Sequence, residues 1–230
     1  MLNKILDKAQ TFKDELSQVR RRLTGMEGKQ PQYKNVFSTP LFTYMWPDAA
    51  ELNALLRERI LAYEAENSGT RKSNQGGWHS ETGRLEFLGD AGQRLVEHIH
   101  EFTDHATRRV FLAHRRPIET IKWTVEIWVN VNRAGDFNKV HIHPGSTWSG
   151  TYYVDAGDPL DSTGGSPLHL FDPLEQSTFL PSVVQDSLYI EPKPGMMVLF
   201  PSYVPHMVFP HTGKGTRISI AFNMRKEPYP

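Results

Sequence analysis

From Ile121 to Asn132 apolar and polar residues alternate almost without a break. Ile121, Trp123, Val125, Ile127, Val129 and Val131 alternate with Lys122, Thr124, Glu126, Trp128, Asn130 and Asn132. Successive side chains of an extended chain point to opposite faces, so this run predicts one long strand with an apolar face and a polar face. Arg217 to Met224 repeats the pattern: Ile218, Ile220, Phe222 and Met224 fall on one face, Arg217, Ser219, Ala221 and Asn223 on the other. Further strands are expected at 149–155, 168–171, 187–191 and 196–200. Turn residues part them, as in Asp155-Ala156-Gly157-Asp158-Pro159. Val36 to Tyr44 suits an edge strand, because Pro40 cannot donate to a ladder.

The first half of the chain has a helical period instead. Leu52, Leu55, Leu56, Ile60 and Tyr63 form an apolar stripe after Asp48-Ala49-Ala50-Glu51, which has capping-box spacing. A second stripe, Leu95, Ile99, Phe102, Ala106 and Val110, predicts a helix from Asp90 to about His114. Residues 67–83 are polar and glycine-rich and read as a loop, with Trp78 either plugging the core or serving as a lid. Helices first and strands after predict an α+β chain, mainly β: helices buttressing one antiparallel sandwich or barrel.

Residues 1–28 are expected to form a separate helical arm, with 29–230 as a single domain. Leu2, Ile5, Ala9, Phe12, Leu16, Val19 and Leu23 have coiled-coil spacing until Gly25, Gly28 and Pro31 end it. About three heptads are too few for a strong dimer alone. The arm is therefore expected to pack on its own domain, with a homodimer contact as the alternative.

Composition narrows the chemistry. The chain has no cysteine, which excludes disulfides, Cys-ligated zinc, iron–sulfur clusters and a thiol nucleophile. Lys+Arg and Asp+Glu both number 26, so there is no electrostatic case for a nucleic-acid or membrane partner. No apolar run approaches the ~20 residues of a membrane span, and charges scattered through the first twenty residues leave no signal-peptide core. A cytoplasmic location is the expectation.

Ten histidines and the carboxylates remain for metal or acid–base chemistry. His141 and His143 are two apart, so in extended backbone both imidazoles can aim at one point. His206 follows a predicted strand end and two prolines, and completes a three-point set with positions open for substrates. The other seven histidines are read as solvated or structural. Arg217 and Ser219, two apart on one strand, would make a carboxylate clamp if that face lines a pocket: a planar fork plus a hydroxyl donor. Trp128, Asn130 and Asn132 either line the same pocket or face water.

Four stretches together resemble the 2-oxoglutarate/Fe(II)-dependent oxygenases. They are Ser73 to Ser80, His141-Ile142-His143-Pro144-Gly145-Ser146 through Ser149-Gly150-Thr151-Tyr152-Tyr153, Pro194 to His206, and Arg217 to Asn223. The likeness is strongest to a bacterial and phage subgroup with an H-x-H-P-G-S…S-G-x-Y-Y motif. It implies a double-stranded β-helix, or jelly roll, with Fe(II) and 2-oxoglutarate as cofactors. It also implies oxidation, most simply hydroxylation, of an unknown small-molecule or peptide substrate, with formation of succinate and CO2. By resemblance His141 and His206 are metal ligands, Arg217 and Ser219 bind the far carboxylate of 2-oxoglutarate, and Tyr153 and Ser149 are candidates to hydrogen-bond it. His143 stands where the superfamily has a carboxylate. Three outcomes are open: His143 ligates, the favoured expectation; it stays out and water completes a two-histidine site; or Asp155 or Asp172 swings in. An alternative register makes His143 the first ligand and leaves His141 outside the set. Two other classes compete: a cupin-like three-histidine dioxygenase that does not use 2-oxoglutarate, and a non-catalytic jelly-roll binding module.

Overall fold

The alternating strands form two antiparallel sheets. The computed structural model describes residues 38–157, 166–174 and 187–227. The expected arm over residues 1–28 lies outside them, and residues 39–230 form a compact unit.

In chain order the elements are β1 (Phe42–Met45), α1 (Ala49–Glu66), β2 (Asn74–Gln75), β3 (Trp78–His79), a 3-10 turn (Glu86–Leu88), α2 (Gly89–Ala113), β4 (Trp123–Asn132) and β5 (Phe137–His141). After these come β6 (Trp148–Ala156), β7 (Leu168–Phe171), β8 (Ser187–Ile190), β9 (Met196–Pro201), β10 (His206–Val208) and β11 (Arg217–Lys226). One sheet has the order β1-β9-β6-β11-β4-β3, the other β2-β5-β10-β7-β8. This is the expected jelly roll, with both helices drawn from the N-terminal half.

The larger sheet is covered on both faces, and the alternation decides what each face meets. Ile127, Val129, Val131, Tyr152, Val154, Ile218, Ile220 and Phe222 share one core with Leu52, Leu56 and Ile60 of α1 and Leu95, Ile99 and Ala106 of α2. The opposite face contributes Tyr153, Met196, Val198 and Phe200 to a second, smaller core with Leu168, Leu170 and Ile190 of the other sheet. The rest of that face is polar and lines a cleft.

Several local readings change. β1 begins at Phe42, beyond Pro40, and is the edge strand of its sheet through pairing with β9. Asp48 precedes α1 but forms no capping box: its φ is 58°, a left-handed conformation, and its side chain makes no cap hydrogen bond. Leu55, expected on the buried stripe, is exposed. Four short strands, β2, β3, β5 and β10, occupy stretches with no detectable alternation. Each is too short or too polar to produce a periodic signal, and β5 turns Val140 out to solvent.

Trp78 plugs the core. It is 8% exposed and its indole N–H donates to the Asn67 carbonyl at 2.7 Å. Truncating a packed tryptophan typically costs about 3–5 kcal/mol. Trp78→Ala is therefore expected to lower unfolding free energy by about that amount in chemical denaturation. A lid would instead give unchanged stability with altered turnover.

Candidate active site

β5 and β10 pair antiparallel with His141 directly opposite His206, so the ladder itself puts two imidazoles side by side. His143 lies two residues past His141, and its backbone N–H donates to Ser202 O at 3.0 Å, tying it to the end of β9. The turn ahead of β5 is fixed on two sides. Arg133 forms a bidentate pair with Glu64 of α1 at 2.6 and 2.8 Å. Gly135 and Asp136 exchange backbone hydrogen bonds with His211 at 2.8 and 2.9 Å. A strand of five residues thus presents its last side chain from an anchored base.

The three ring centroids lie 4.3 Å (His141–His206), 4.9 Å (His141–His143) and 5.1 Å (His143–His206) apart. One nitrogen from each lies within 4.8 Å of the others, close enough to surround one ion. No carboxylate joins this group among the described residues. Asp155 is engaged elsewhere, accepting from Arg57 at 3.0 Å and from the Gly157 N–H at 3.0 Å. Asp172 accepts from the Leu174 N–H at 3.0 Å.

The donor chemistry fits a divalent metal. His141 Nδ1 faces Lys139 O at 2.6 Å and His206 Nδ1 faces Val204 O at 2.9 Å. A carbonyl only accepts, so each Nδ1 carries the proton and each Nε2 keeps a free lone pair. Burial disfavours the imidazolium forms. It pushes His206 down to about 3, helped by His141, and His143 down to about 4, again with help from His141. His141 is lowered too, chiefly by burial, against the opposing bond to Lys139. The neutral form is the one in which an imidazole can bind a metal ion.

Across the cleft, β11 carries Arg217 and Ser219 on its inner face. Arg217 is 1% exposed. Its Nη1 donates to Ser219 Oγ at 3.1 Å and its Cζ lies 5.2 Å from the centre of the Tyr153 ring, a cation–π distance. Its Nε has no partner, and no carboxylate bonds to it among the described residues. The Tyr153 hydroxyl is likewise buried, beside that guanidinium and with no other hydrogen-bond partner among the described residues; burial raises its pKa, partly offset by Arg217. Burial also lowers that of Arg217, partly offset by Tyr153. A guanidinium stays charged in proteins. A buried cation without a counter-ion is costly, so this pair is built for an anion.

The inner cleft connects the two halves, with His141, His143 and His206 on one side and Arg217, Ser219 and Tyr153 on the other. Trp128 and Asn130 of β4 line it, whereas Asn132 is buried outside it. A wider cleft opens on the other side of His141 and His143, past Lys72, His79, Trp128 and Lys139. His79 stacks on Trp128 at 5.9 Å, and Trp128 in turn lies 5.6 Å from His143.

Ser149 lines the inner cleft and donates its hydroxyl to Asn223 Oδ1 at 2.7 Å, and Asn223 Nδ2 reaches His143 Nδ1 at 3.3 Å. In the sequence Asn223 stands out only as the last polar residue on the Arg217–Ser219 face; its partner on β6 comes from strand register. Of the remaining histidines, His211 is structural, bonded to Ser166 Oγ at 2.7 Å and Gly215 O at 3.0 Å.

Residues 126–223, just under half the chain, match a family described as "Putative 2OG-Fe(II) oxygenase". A comparison with curated proteins gives no match. Among solved structures, the chain is similar to a Pseudomonas putida prolyl-4-hydroxylase (TM-score 0.57, 19% identity, 83% of this chain and 95% of that one). It is also similar to a Trichoplax adhaerens prolyl hydroxylase solved with a hypoxia-inducible-factor peptide (TM-score 0.56, 16% identity, 80% and 83%). A third is the carbocyclase SnoK from nogalamycin biosynthesis (TM-score 0.55, 12% identity, 81% and 79%). At these identities the structural likeness is one of fold. The family match spans all three histidines, Arg217 and Ser219, and supports a 2-oxoglutarate-dependent dioxygenase that uses Fe(II) and 2-oxoglutarate.

Proposed function

We propose that the protein is a hydroxylase whose histidine cluster holds Fe(II) and whose inner cleft holds 2-oxoglutarate, acting on a small molecule or peptide in the cytoplasm. The observation that carries this reading is the buried Arg217, bonded to no carboxylate among the described residues and sharing one cleft with the histidines. A cupin-like dioxygenase without 2-oxoglutarate does not need a cation on this face of the cleft, and a binding module whose histidines hold a structural metal does not need one either.

Each residue then has a role. His141 and His206 hold the ion through Nε2, with His143 as the third imidazole facing it. Arg217 and Ser219 bind the far carboxylate of 2-oxoglutarate, the guanidinium supplying a planar fork and the hydroxyl a further donor. The Tyr153 hydroxyl, buried beside them, is a third donor for that carboxylate. Fe(II) with 2-oxoglutarate supplies the oxidising chemistry, yielding succinate and CO2. The chain supplies position and a water-poor cleft. The substrate enters by the wider cleft, where Trp128 forms a wall between solvent and the histidines. Prolyl hydroxylases among the similar folds are compatible with a peptide substrate. The H-x-H-P-G-S motif agrees with a distinct bacterial and phage subgroup.

Removing Arg217 tests the anion site. Losing one member of a buried charge-assisted pair typically costs about 2–5 kcal/mol. Arg217→Ala is expected to weaken 2-oxoglutarate binding by roughly 30-fold or more, with little change in metal affinity, and Arg217→Lys to recover part of the loss. Anaerobic calorimetry on metal-loaded protein reads both. Equal 2-oxoglutarate affinity in wild type and Arg217→Ala refutes the proposal.

The lowered histidine pKa values predict a pH signature. An ordinary imidazole, at about 6.5, takes up protons below that pH and competes with the metal. Here His143 and His206 stay neutral to about 4 and about 3. Metal affinity is therefore expected to stay flat from pH 8 to pH 6, where exposed histidines would already lose affinity. Stability of the metal-free chain follows the same sign. Below about 6.5 the unfolded chain binds protons that the folded histidines refuse, so unfolding free energy falls as pH drops from there toward 4. Metal titrations and denaturation curves across that range check both.

A further inference from the structure

The three histidines are not equivalent. In His141 and His206 the Nδ1 atom meets a backbone carbonyl, at 2.6 and 2.9 Å, and the proton must sit on Nδ1. In His143 the Nδ1 atom meets the side-chain nitrogen of Asn223 at 3.3 Å. An amide nitrogen only donates, so His143 Nδ1 must accept and its proton must sit on Nε2. A protonated Nε2 has no lone pair for a metal.

Turning the Asn223 amide over would reverse this assignment, because its oxygen and nitrogen have nearly the same shape. Ser149 decides between the two orientations. As placed, the Ser149 hydroxyl donates to Asn223 Oδ1 at 2.7 Å. With the amide reversed, Ser149 would accept from the amide nitrogen and its own proton would need another acceptor. Among the described residues the Ser149 hydroxyl has no second hydrogen-bond partner, and at 2% exposure only water held in the inner cleft is left to take that proton. Asn223 is 4% exposed. The reversed arrangement gives up a protein acceptor at 2.7 Å for that nearly buried proton, which is the less favourable case. Strand register fixes the pair, since Asn223 of β11 lies directly opposite Ser149 of β6.

We propose that Ser149 and Asn223 are positioning residues that hold His143 as an Nε2–H hydrogen-bond donor, leaving His141 and His206 as the two imidazole ligands. This rests on the metal-site reading above. The residue that replaces the superfamily's carboxylate then acts differently from it, by donating a hydrogen bond to an oxygen bound beside the metal. The same arrangement removes Ser149 from the set of 2-oxoglutarate contacts, since its proton is already committed.

Long-range proton–nitrogen NMR on the full chain, ¹⁵N-labelled and loaded with zinc as a diamagnetic substitute, reads the proton on each ring at neutral pH. His141 and His206 are expected to show protonated Nδ1 and zinc-bound Nε2. His143 is expected to show protonated Nε2 and a free Nδ1. Zinc on His143 Nε2 as well would overturn this proposal alone; zinc on neither His141 nor His206 would overturn the metal-site reading with it. Asn223→Asp offers acceptors only, so it should move the His143 proton to Nδ1, recruit the ring as a third ligand and raise zinc affinity about tenfold or more. An unmoved proton in that variant would count against the proposal. His143→Gln keeps a donor and should leave zinc affinity within about threefold of wild type. A loss well beyond tenfold would show that His143 is a ligand after all.

Discussion

Arg217 is a full positive charge almost wholly removed from water, held by one hydroxyl and one aromatic face. Nothing in ordinary core packing justifies that position, because an uncompensated buried charge costs several kcal/mol even after relaxation. The surrounding architecture makes it tolerable. β11 is flanked by β4 and β6 over most of its length, so its backbone is fixed on both sides. Its apolar partners Ile218, Ile220 and Phe222 are locked into the helix-covered core. The same alternation that buries those three residues forces Arg217 and Ser219 toward the cleft. The cation is therefore held in place by the hydrophobic packing behind it, and a bound carboxylate is the group that would relieve its cost.

The strands that carry the two halves of the site are built differently, for physical reasons. The arginine side belongs to long strands within a six-stranded sheet, where rigidity comes from ladders and a large core. The histidine side belongs to β5 and β10, short strands whose stability is borrowed. The Arg133–Glu64 pair and the backbone exchange between the 135–136 turn and His211 hold β5 where its own pairing could not. Exposed ion pairs are worth little singly. Glu64 is mostly buried and the contact is bidentate, which gives this one better geometry than most.

What can be read from the sequence follows the same division. β4 and β11 are legible because each is long enough to show a period of two, and β9 because it is a short continuous apolar run between turn residues. The alternation of β4 and β11 also assigns their faces, with Arg217 and Ser219 on the cleft side and Ile218, Ile220 and Phe222 in the core. β5 and β10 are not legible, although the His141-x-His143 spacing points to extended backbone at that place. Phe137-Asn138-Lys139-Val140-His141 has no apolar face to reveal it. The capping box at Asp48 fails for another reason: residue types at the right spacing do not ensure that the backbone enters the helix from the β region. The interaction that sequence reasoning misses, Ser149 to Asn223 to His143, joins three distant segments. Only strand register could bring them together.

The charge of the site bears on how it selects its cosubstrate. With three neutral imidazoles and no carboxylate in the cluster, a divalent ion keeps its full charge, and Arg217 adds another positive charge across the cleft. A 2-oxoglutarate dianion offers a negative group to each end. The chain as a whole is neutral, so this attraction is local, created where burial weakens screening rather than by a general positive field. A carboxylate ligand would cancel part of the metal's charge at the point where the cosubstrate must bind. Its replacement by a histidine leaves one more positive charge in the cleft. The Asn223 amide, unlike an aspartate, adds no negative charge to offset it.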